Sequence, residues 1–225
     1  MDIQIVIKLN PKLYLRDPEE TDLGKRIVGN SILLIDQLGF ENFTFKKLAT
    51  KINSTEASIY RYFENKHLLL VYLTSWYWAW LEYRIDYHTK NIADPRERMK
   101  IALKMISESA QDDLTIPHIE EGVLHRIVVR ESRKAYFNIN VDKENKEGFF
   151  GNFKSLCAKI SGLITEINPA YPYPLALSST TIEAAHQQLF FSRHLPSLTD
   201  VSIIGSNYSP LIQLLEHFVF DLIDK

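Results

Sequence analysis

With 225 residues, 45% apolar and 24% charged, the chain can bury one sizeable core, or a small domain beside a larger one. Its single cysteine, Cys157, excludes a framework of intrachain disulfides and fits a reducing, cytoplasmic setting. The net charge of −2 announces no nucleic-acid partner, and no apolar run approaches the ~18 residues of a membrane span, so no membrane partner is expected.

Residues 1–20 form an N-terminal extension. Its start, interrupted by charges and Pro11, does not have the build of a signal peptide. Ile3 to Leu9 alternates apolar and polar residues, which predicts a short extended segment, and the two prolines that follow predict irregular chain. Lys8, Lys12 and Arg16 would permit an arm that touches DNA, but Asp17, Glu19, Glu20 and Asp22 follow, so the extension is expected to pack on the first helix. That helix runs from Thr21 to Leu38, with a broad apolar face of Ile27, Val28, Ile32, Leu34, Ile35 and Leu38, and Gly39 in the C′ position ends it.

The next stretch, Thr44 to Lys66, carries the strongest pattern. Phe45, Leu48, Ala49 and Ile52 form an i, i+3, i+4, i+7 stripe behind Thr44 as N-cap, with Phe43 and Leu48 placed to staple the helix start. Asn53 falls where the chain needs a left-handed residue. Ser54 or Thr55 then caps a second helix with Ile59 and Phe63 inward and Glu56, Ala57, Ser58, Tyr60, Arg61 and Tyr62 outward. Two short amphipathic helices about a tight polar turn make a helix-turn-helix, and small residues at the start of the second let it enter a major groove. Asn65 caps the helix that follows. Lys66 in its first turn opposes the helix dipole, which a DNA phosphate at that helix end would reverse. Thr44 to Lys66 holds five basic and two acidic residues, a local +3, whereas residues 67–225 hold 16 basic and 19 acidic, a local −3. A basic footprint on an acidic body suits a DNA reader.

Beyond the motif, a long aromatic helix is predicted to about Asn91, with Trp76, Trp80, Tyr83 and Tyr87 on one face. Asp94-Pro95 opens a helix to about Asp112, and Pro117 to about Tyr136 is another, carrying Arg126, Arg130 and Arg133 along one side. Asn138 to Asn145 is expected to be a polar loop. Helices are then predicted over Glu147–Ile167, Pro174–Leu195 and Ser209–Ile223, making nine helices in all.

The run F-T-F-K-K-L-A followed by S-T-E-A-S-I-Y-R-Y-F-E-N-K resembles the DNA-binding domain of TetR-family transcriptional regulators, over about residues 21–85. Tyr60, Tyr62, Phe63 and Lys66 fall in register with that family. Asn53 replaces its usual Gly, Ser54 its usual Val, and Glu56 stands where Lys is common. The resemblance implies an all-α protein: a three-helix DNA-binding domain, residues 21–66, joined by a long helix to a ligand-binding and dimerisation bundle, residues 67–225. It implies a homodimer on a palindromic operator, a small-molecule effector, and most simply a repressor relieved by that effector. The expected DNA contacts are Thr44, Lys46, Thr55, Glu56, Ala57, Ser58, Tyr60, Arg61, Tyr62 and Lys66, with Thr44, Tyr62 and Lys66 on phosphates. In TetR-like proteins the long fourth helix walls the effector pocket, which puts Trp76, Trp80, Tyr83 and His125 forward as ligand contacts. Core packing accounts for the same aromatic row equally well. Ala184, Ala185, Leu189, Leu214 and Phe218 are the expected dimer contacts, against simple intrachain packing.

No catalytic residue, cofactor or metal is expected. The chain has no glycine-rich phosphate loop, and Cys157 among Leu156, Ala158 and Ile160 has the surroundings of a buried thiol. Glu183 and His186 form one E-x-x-H of the kind used in helical di-iron sites, which need a second pair. The arginine row on the sixth helix suits a solvated face or an anionic ligand. The rival functions are a helical metal-dependent enzyme, separable by metal analysis, and a protein-interaction adaptor, separable by loss of salt-dependent DNA binding.

Overall fold

The computed structural model describes residues 7–108 and 118–225. Most of the extended segment expected from Ile3, the helix end expected near Asp112 and the helix start expected at Pro117 lie outside those residues. Within them the chain forms ten α-helices: α1 (Asp22–Leu38), α2 (Phe45–Lys51), α3 (Glu56–Tyr60), α4 (Lys66–Thr89), α5 (Pro95–Ser107), α6 (Glu121–Tyr136), α7 (Val141–Lys146), α8 (Gly151–Ile167), α9 (Pro174–His194) and α10 (Ser209–Ile223). No strand occurs among the described residues, and no described helix is long and apolar enough to cross a membrane. The chain divides into two compact units, Met1–Ala79 with Ala110–Asn152, and Trp80–Ser109 with Phe153–Lys225. α4 supplies residues to both.

In the first unit, Ile27, Val28, Ile32 and Ile35 of α1 are fully buried, as are Phe43, Leu48, Ile59 and Phe63 from the hairpin. Each such side chain contributes about 1.5–3 kcal/mol by leaving water. The helix starts follow the caps in the sequence. Thr21 Oγ1 accepts from Gly24 N–H at 3.0 Å, and Asn65 Oδ1 accepts from Leu68 N–H at 2.9 Å. Gly39, with φ of 75°, ends α1 and returns its N–H to Ile35 O.

The N-terminal extension does more than pack on α1. Its 3-10 turn Pro18–Glu20 lies so close to α1 that a Cβ on Gly24 would sit 2.3 Å from Pro18 O. Further upstream, Leu13 is fully buried, Leu15 N–H donates to Tyr62 O at 2.8 Å, and Asn10 Nδ2 donates to Glu147 O at 2.7 Å. Residues 8–16 are therefore a strap between the end of the hairpin and the α7–α8 junction.

α7 replaces the expected polar loop. Its Glu144 carboxylate is buried, held by His67 Nε2 at 2.7 Å and by Asn138 Nδ2 at 3.3 Å. A polar stretch forms a helix here because its carboxylate has tertiary partners. Gly148, with φ of 81°, then breaks the chain, so α8 begins at Gly151 and not at Glu147.

The second unit packs α5, α8, α9, α10 and the later turns of α4. Asp94 Oδ1 accepts from Arg96 N–H at 2.9 Å and starts α5. Leu103, Leu156, Ile160, Ile182, Leu211 and Val219 are buried in its core. Surface pairs Arg96–Asp224, Arg98–Glu166 and Lys159–Glu82 join its helices, each contributing ~1 kcal/mol or less.

Candidate nucleic-acid interface

The hairpin is built from local hydrogen bonds and held from outside by long-range ones. Thr44 Oγ1 accepts from Lys47 N–H at 3.2 Å and caps α2. Asn53 takes φ of 51°, and Ser54 N–H closes on Ala49 O at 2.9 Å. The Arg26 guanidinium of α1 donates to Ile52 O, which pins the turn from behind. Thr55, not Ser54, caps α3: its Oγ1 accepts from Ser58 N–H at 3.2 Å and lies 2.8 Å from Ser58 Oγ. Ile59 points inward and Tyr60 stacks edge-on against Phe45, 5.0 Å between centroids.

What remains outside is a compact polar surface. Lys46, Lys51, Glu56, Ala57 and Arg61 are exposed, Tyr60 is 47% exposed, and Ser58 is half-buried between them. Among the described residues, Lys46, Lys51 and Arg61 make no ion pair, so their charge is directed to solvent.

Two residues expected on phosphate have structural tasks. Tyr62 is only 3% exposed, not outward: its hydroxyl lies 2.7 Å from Thr21 Oγ1 and its carbonyl accepts from Leu15. Lys66 donates to the carbonyls of Phe40, Glu41 and Phe43 at 3.1, 3.1 and 3.3 Å, with Nζ 4.8 Å from the Phe40 ring centroid. Three carbonyl dipoles offset the cost of a cation at the start of α4, which the sequence alone assigned to a phosphate.

The same α1–α2 loop is gripped from α6. Glu131 Oε1 accepts from Phe40 N–H at 3.3 Å, and Lys134 reaches Glu41 at 2.7 Å and Glu131 at 2.9 Å. Arg126 and Arg130 converge on Asp36 of α1, at 2.8 and 2.6 Å. Burial works to raise the Asp36 carboxyl, but hydrogen bonds and charge from the two guanidiniums outweigh it and hold its pKa below the ordinary carboxylate value. Arg126 and Arg130 are exposed, and their charge is committed to Asp36 and not to an anionic ligand. Asp36 was the partner the sequence did not reveal.

The other expected site residues fall in different places. Trp76 and Trp80 are buried, but Tyr83 and Tyr87 of the same row are exposed, Tyr87 by 68%. His125 is buried in the first unit and stacks on Tyr77, centroids 5.7 Å apart. In the second unit, Ala185 and Leu189 are already buried by their own helices and have almost no area to offer a second subunit. Ala184, Leu214 and Phe218 remain half-buried. The Cys157 thiol is pushed up to about 11 by burial, out of the range of a nucleophile at neutral pH. No group of three or more His, Cys, Asp or Glu able to hold a metal occurs among the described residues, whether at Glu183–His186 or elsewhere.

A sequence profile described as bacterial regulatory proteins, tetR family, matches residues 31–73, from the middle of α1 through the hairpin into α4. No curated protein matches the chain in sequence. Among solved structures, the FadR transcriptional regulator from Bacillus subtilis, in complex with stearoyl-CoA, is 16% identical, with 86% of this chain and 96% of that chain covered and a TM-score of 0.62. AibR, in complex with isovaleryl coenzyme A and operator DNA, is 12% identical, with 87% and 98% covered and a TM-score of 0.58. PfiT, described as a superantigen, is 15% identical, with 92% and 98% covered and a TM-score of 0.60. At these identities the structures establish a shared all-helical fold, while the sequence match falls on the hairpin itself. Residues 31–73 thus match the tetR family of bacterial regulatory proteins, and over the rest of the chain the likeness is one of fold.

Proposed function

We propose that the protein is a homodimeric repressor that grips a palindromic operator through α2 and α3 and releases it when a small molecule binds the body. The observation that carries this reading is the exposed face of the hairpin. It is thin at Glu56, Ala57 and Ser58, aromatic and basic at Tyr60 and Arg61, and flanked by Lys46 and Lys51, which make no ion pair among the described residues. In this reading Lys46, Glu56, Ala57, Ser58, Tyr60 and Arg61 enter the groove, and Thr44 and Thr55 meet phosphates at the two helix starts. Tyr62 and Lys66 hold the hairpin in shape. The functional division follows residues 21–66 as the reading domain and 67–225 as the body, with 1–20 bracing the first, and the protein works in the cytoplasm where its operator is.

A twofold operator requires two recognition helices about 34–36 Å apart, which one subunit cannot supply. The half-buried Ala184, Leu214 and Phe218 are the proposed contact between subunits. For the effector, Trp76 and His125, both within the first unit, are the candidate contacts. AibR and the Bacillus subtilis FadR were solved with acyl thioesters of coenzyme A, so that class is the first to screen. The test is selection of duplexes from a random pool, then sedimentation of the complex with and without a series of acyl-CoA compounds. Two subunits on a palindromic site, displaced by one member of the series, is the expected result. Selection of no sequence, or binding of one subunit per site, overturns it.

A further inference from the structure

We propose that α7 positions the recognition helix through two polar tethers that converge on the corner between α3 and α4, with Asn10 and His67 as the positioning residues. The proposal rests on the reading of α2 and α3 as the DNA-binding elements. α3 has only five residues, and a helix of that length is not stable by itself. Its direction is set by what holds its ends. The start is capped by Thr55, but the exit, residues 61–65, forms no helix before α4 begins at Lys66. Whatever fixes that corner sets how Ala57, Ser58 and Arg61 are presented to a groove.

The first tether is the N-terminal strap. Asn10 Nδ2 donates to Glu147 O at 2.7 Å, and Lys12 pairs with the Glu147 carboxylate. Asn10 Oδ1 accepts from Lys12 N–H at 2.9 Å and Leu13 is fully buried, so the strap is a fixed piece from there to Leu15. Leu15 N–H then donates to Tyr62 O at 2.8 Å, inside the corner. The second tether enters from the other side. His67 Nε2, in the first turn of α4, lies 2.7 Å from Oε1 of the buried Glu144. Glu144 also accepts from Asn138 Nδ2 at 3.3 Å, and that amide donates to Ala135 O at 3.1 Å, which refers the carboxylate back to the end of α6. Residues 62 and 67 bracket the corner, and their tethers end three residues apart, at Glu147 and Glu144. Buried Ile59 and Phe63 hold the corner against the core, but apolar contact is non-directional. Hydrogen bonds are directional, so the two tethers fix its orientation.

The test uses the full chain, a duplex recovered by selection and a scrambled duplex of the same composition, with binding followed by fluorescence anisotropy well below the melting temperature. Asn10→Ser keeps an oxygen to cap Lys12 N–H but is too short to reach Glu147, and His67→Leu removes the second tether. Each should weaken binding to the selected duplex by about two- to tenfold, the contribution of one hydrogen bond, because the corner must then be ordered as the complex forms. Affinity for the scrambled duplex should stay within about twofold of the parent, since neither variant removes a cation. Amide hydrogen exchange at Tyr62 and Phe63 should quicken in both. His67→Gln, whose amide can donate to the same carboxylate, should restore most of the loss. If either variant keeps the parent's ratio of the two affinities, whether both are unchanged or both fall together, the proposal is overturned and the reading of the hairpin stands. Should His67→Leu fail to fold, Asn10→Ser, at a half-buried surface position, decides by the same ratio. If the parent itself does not discriminate between the duplexes, the reading of the hairpin fails and takes this proposal with it.

Discussion

The hairpin and the last two helices are both amphipathic, yet they leave different residues behind once the core is satisfied. In the hairpin the apolar side is consumed: Phe45, Leu48, Ile59 and Phe63 are buried, and the exposed Lys46, Lys51 and Arg61 make no ion pair among the described residues. In α10 the core takes Leu211, Leu215, Val219 and Ile223, but Leu214, Phe218 and Leu222 remain wholly or partly outside. A surface meant for a polyanion gains little from exposed apolar area and much from unpaired cations. A surface meant for a second copy of the same fold gains in the opposite way, because apolar area withdrawn from water is the main source of affinity.

The largest effect should come from the apolar side of that contrast. Leu214→Asp or Phe218→Asp should give monomers that keep their helix content and lose on the order of 100-fold or more in operator affinity, since linkage between two half-sites is lost. Sedimentation together with circular dichroism reads both, and a variant that stays dimeric removes these residues from the interface. On the polar side, Glu56→Lys should raise non-specific affinity and change base preference at one position per half-site, by about 1–3 kcal/mol if the carboxylate accepts from a cytosine amine. Repeating the selection with the variant reads this, and an unchanged preference reduces Glu56 to a helix-start residue.

Lys66 sharpens the comparison differently, because it is a cation of the hairpin region that is not free. Lys66→Met should lower stability by about 1–3 kcal/mol as three carbonyls lose their shared donor, with the salt slope of DNA binding unchanged. A fall in slope with no change in Tm would return Lys66 to the phosphate. The smallest effect is at Asp36. Its pKa is lowered in the folded chain, so its contribution is complete above the ordinary value of 3.8 and is lost as pH falls through the lowered one. Asp36→Asn should cost about 1 kcal/mol at neutral pH and flatten the acid limb of the stability profile, seen in thermal melts between pH 3 and 7 (about 1 kcal/mol being the upper end for exposed pairs).

The caps Thr44, Asn65 and Asp94 were readable in the sequence because each acts within three residues of itself, and Thr55 was one of two candidates for the same reason. The left-handed turn at Asn53 was readable for the same reason. Asp36 was not, since its two guanidiniums lie 90 and 94 residues away along the chain. The intrachain partners of Tyr62 and Lys66 were not readable, because the sequence shows which side chains are polar and not which carbonyl or hydroxyl meets them. Ala185 and Leu189 carried the right character for an interface, but character does not say which of two apolar faces turns toward the chain's own core. The strap of residues 8–16 had no periodicity to betray it, since its bonds go to backbone oxygens at Tyr62 and Glu147.

The two units of the chain are interleaved, and this constrains how the protein can be made and cut. The first unit needs residues up to Asn152, and the second begins at Trp80, so neither is a contiguous stretch. During synthesis the hairpin emerges early, but the Asn10–Glu147 hydrogen bond spans 137 positions and cannot form until α7 has left the ribosome. The strap that steadies the end of the recognition helix is thus completed late, after α4 and α5 are out. A gene fragment ending at residue 66 would carry the whole DNA-binding motif and still lack the α6 grip on Asp36 and Phe40. The helix-turn-helix is contiguous in sequence, but the contacts that brace it come from residues up to 94 positions further along the chain.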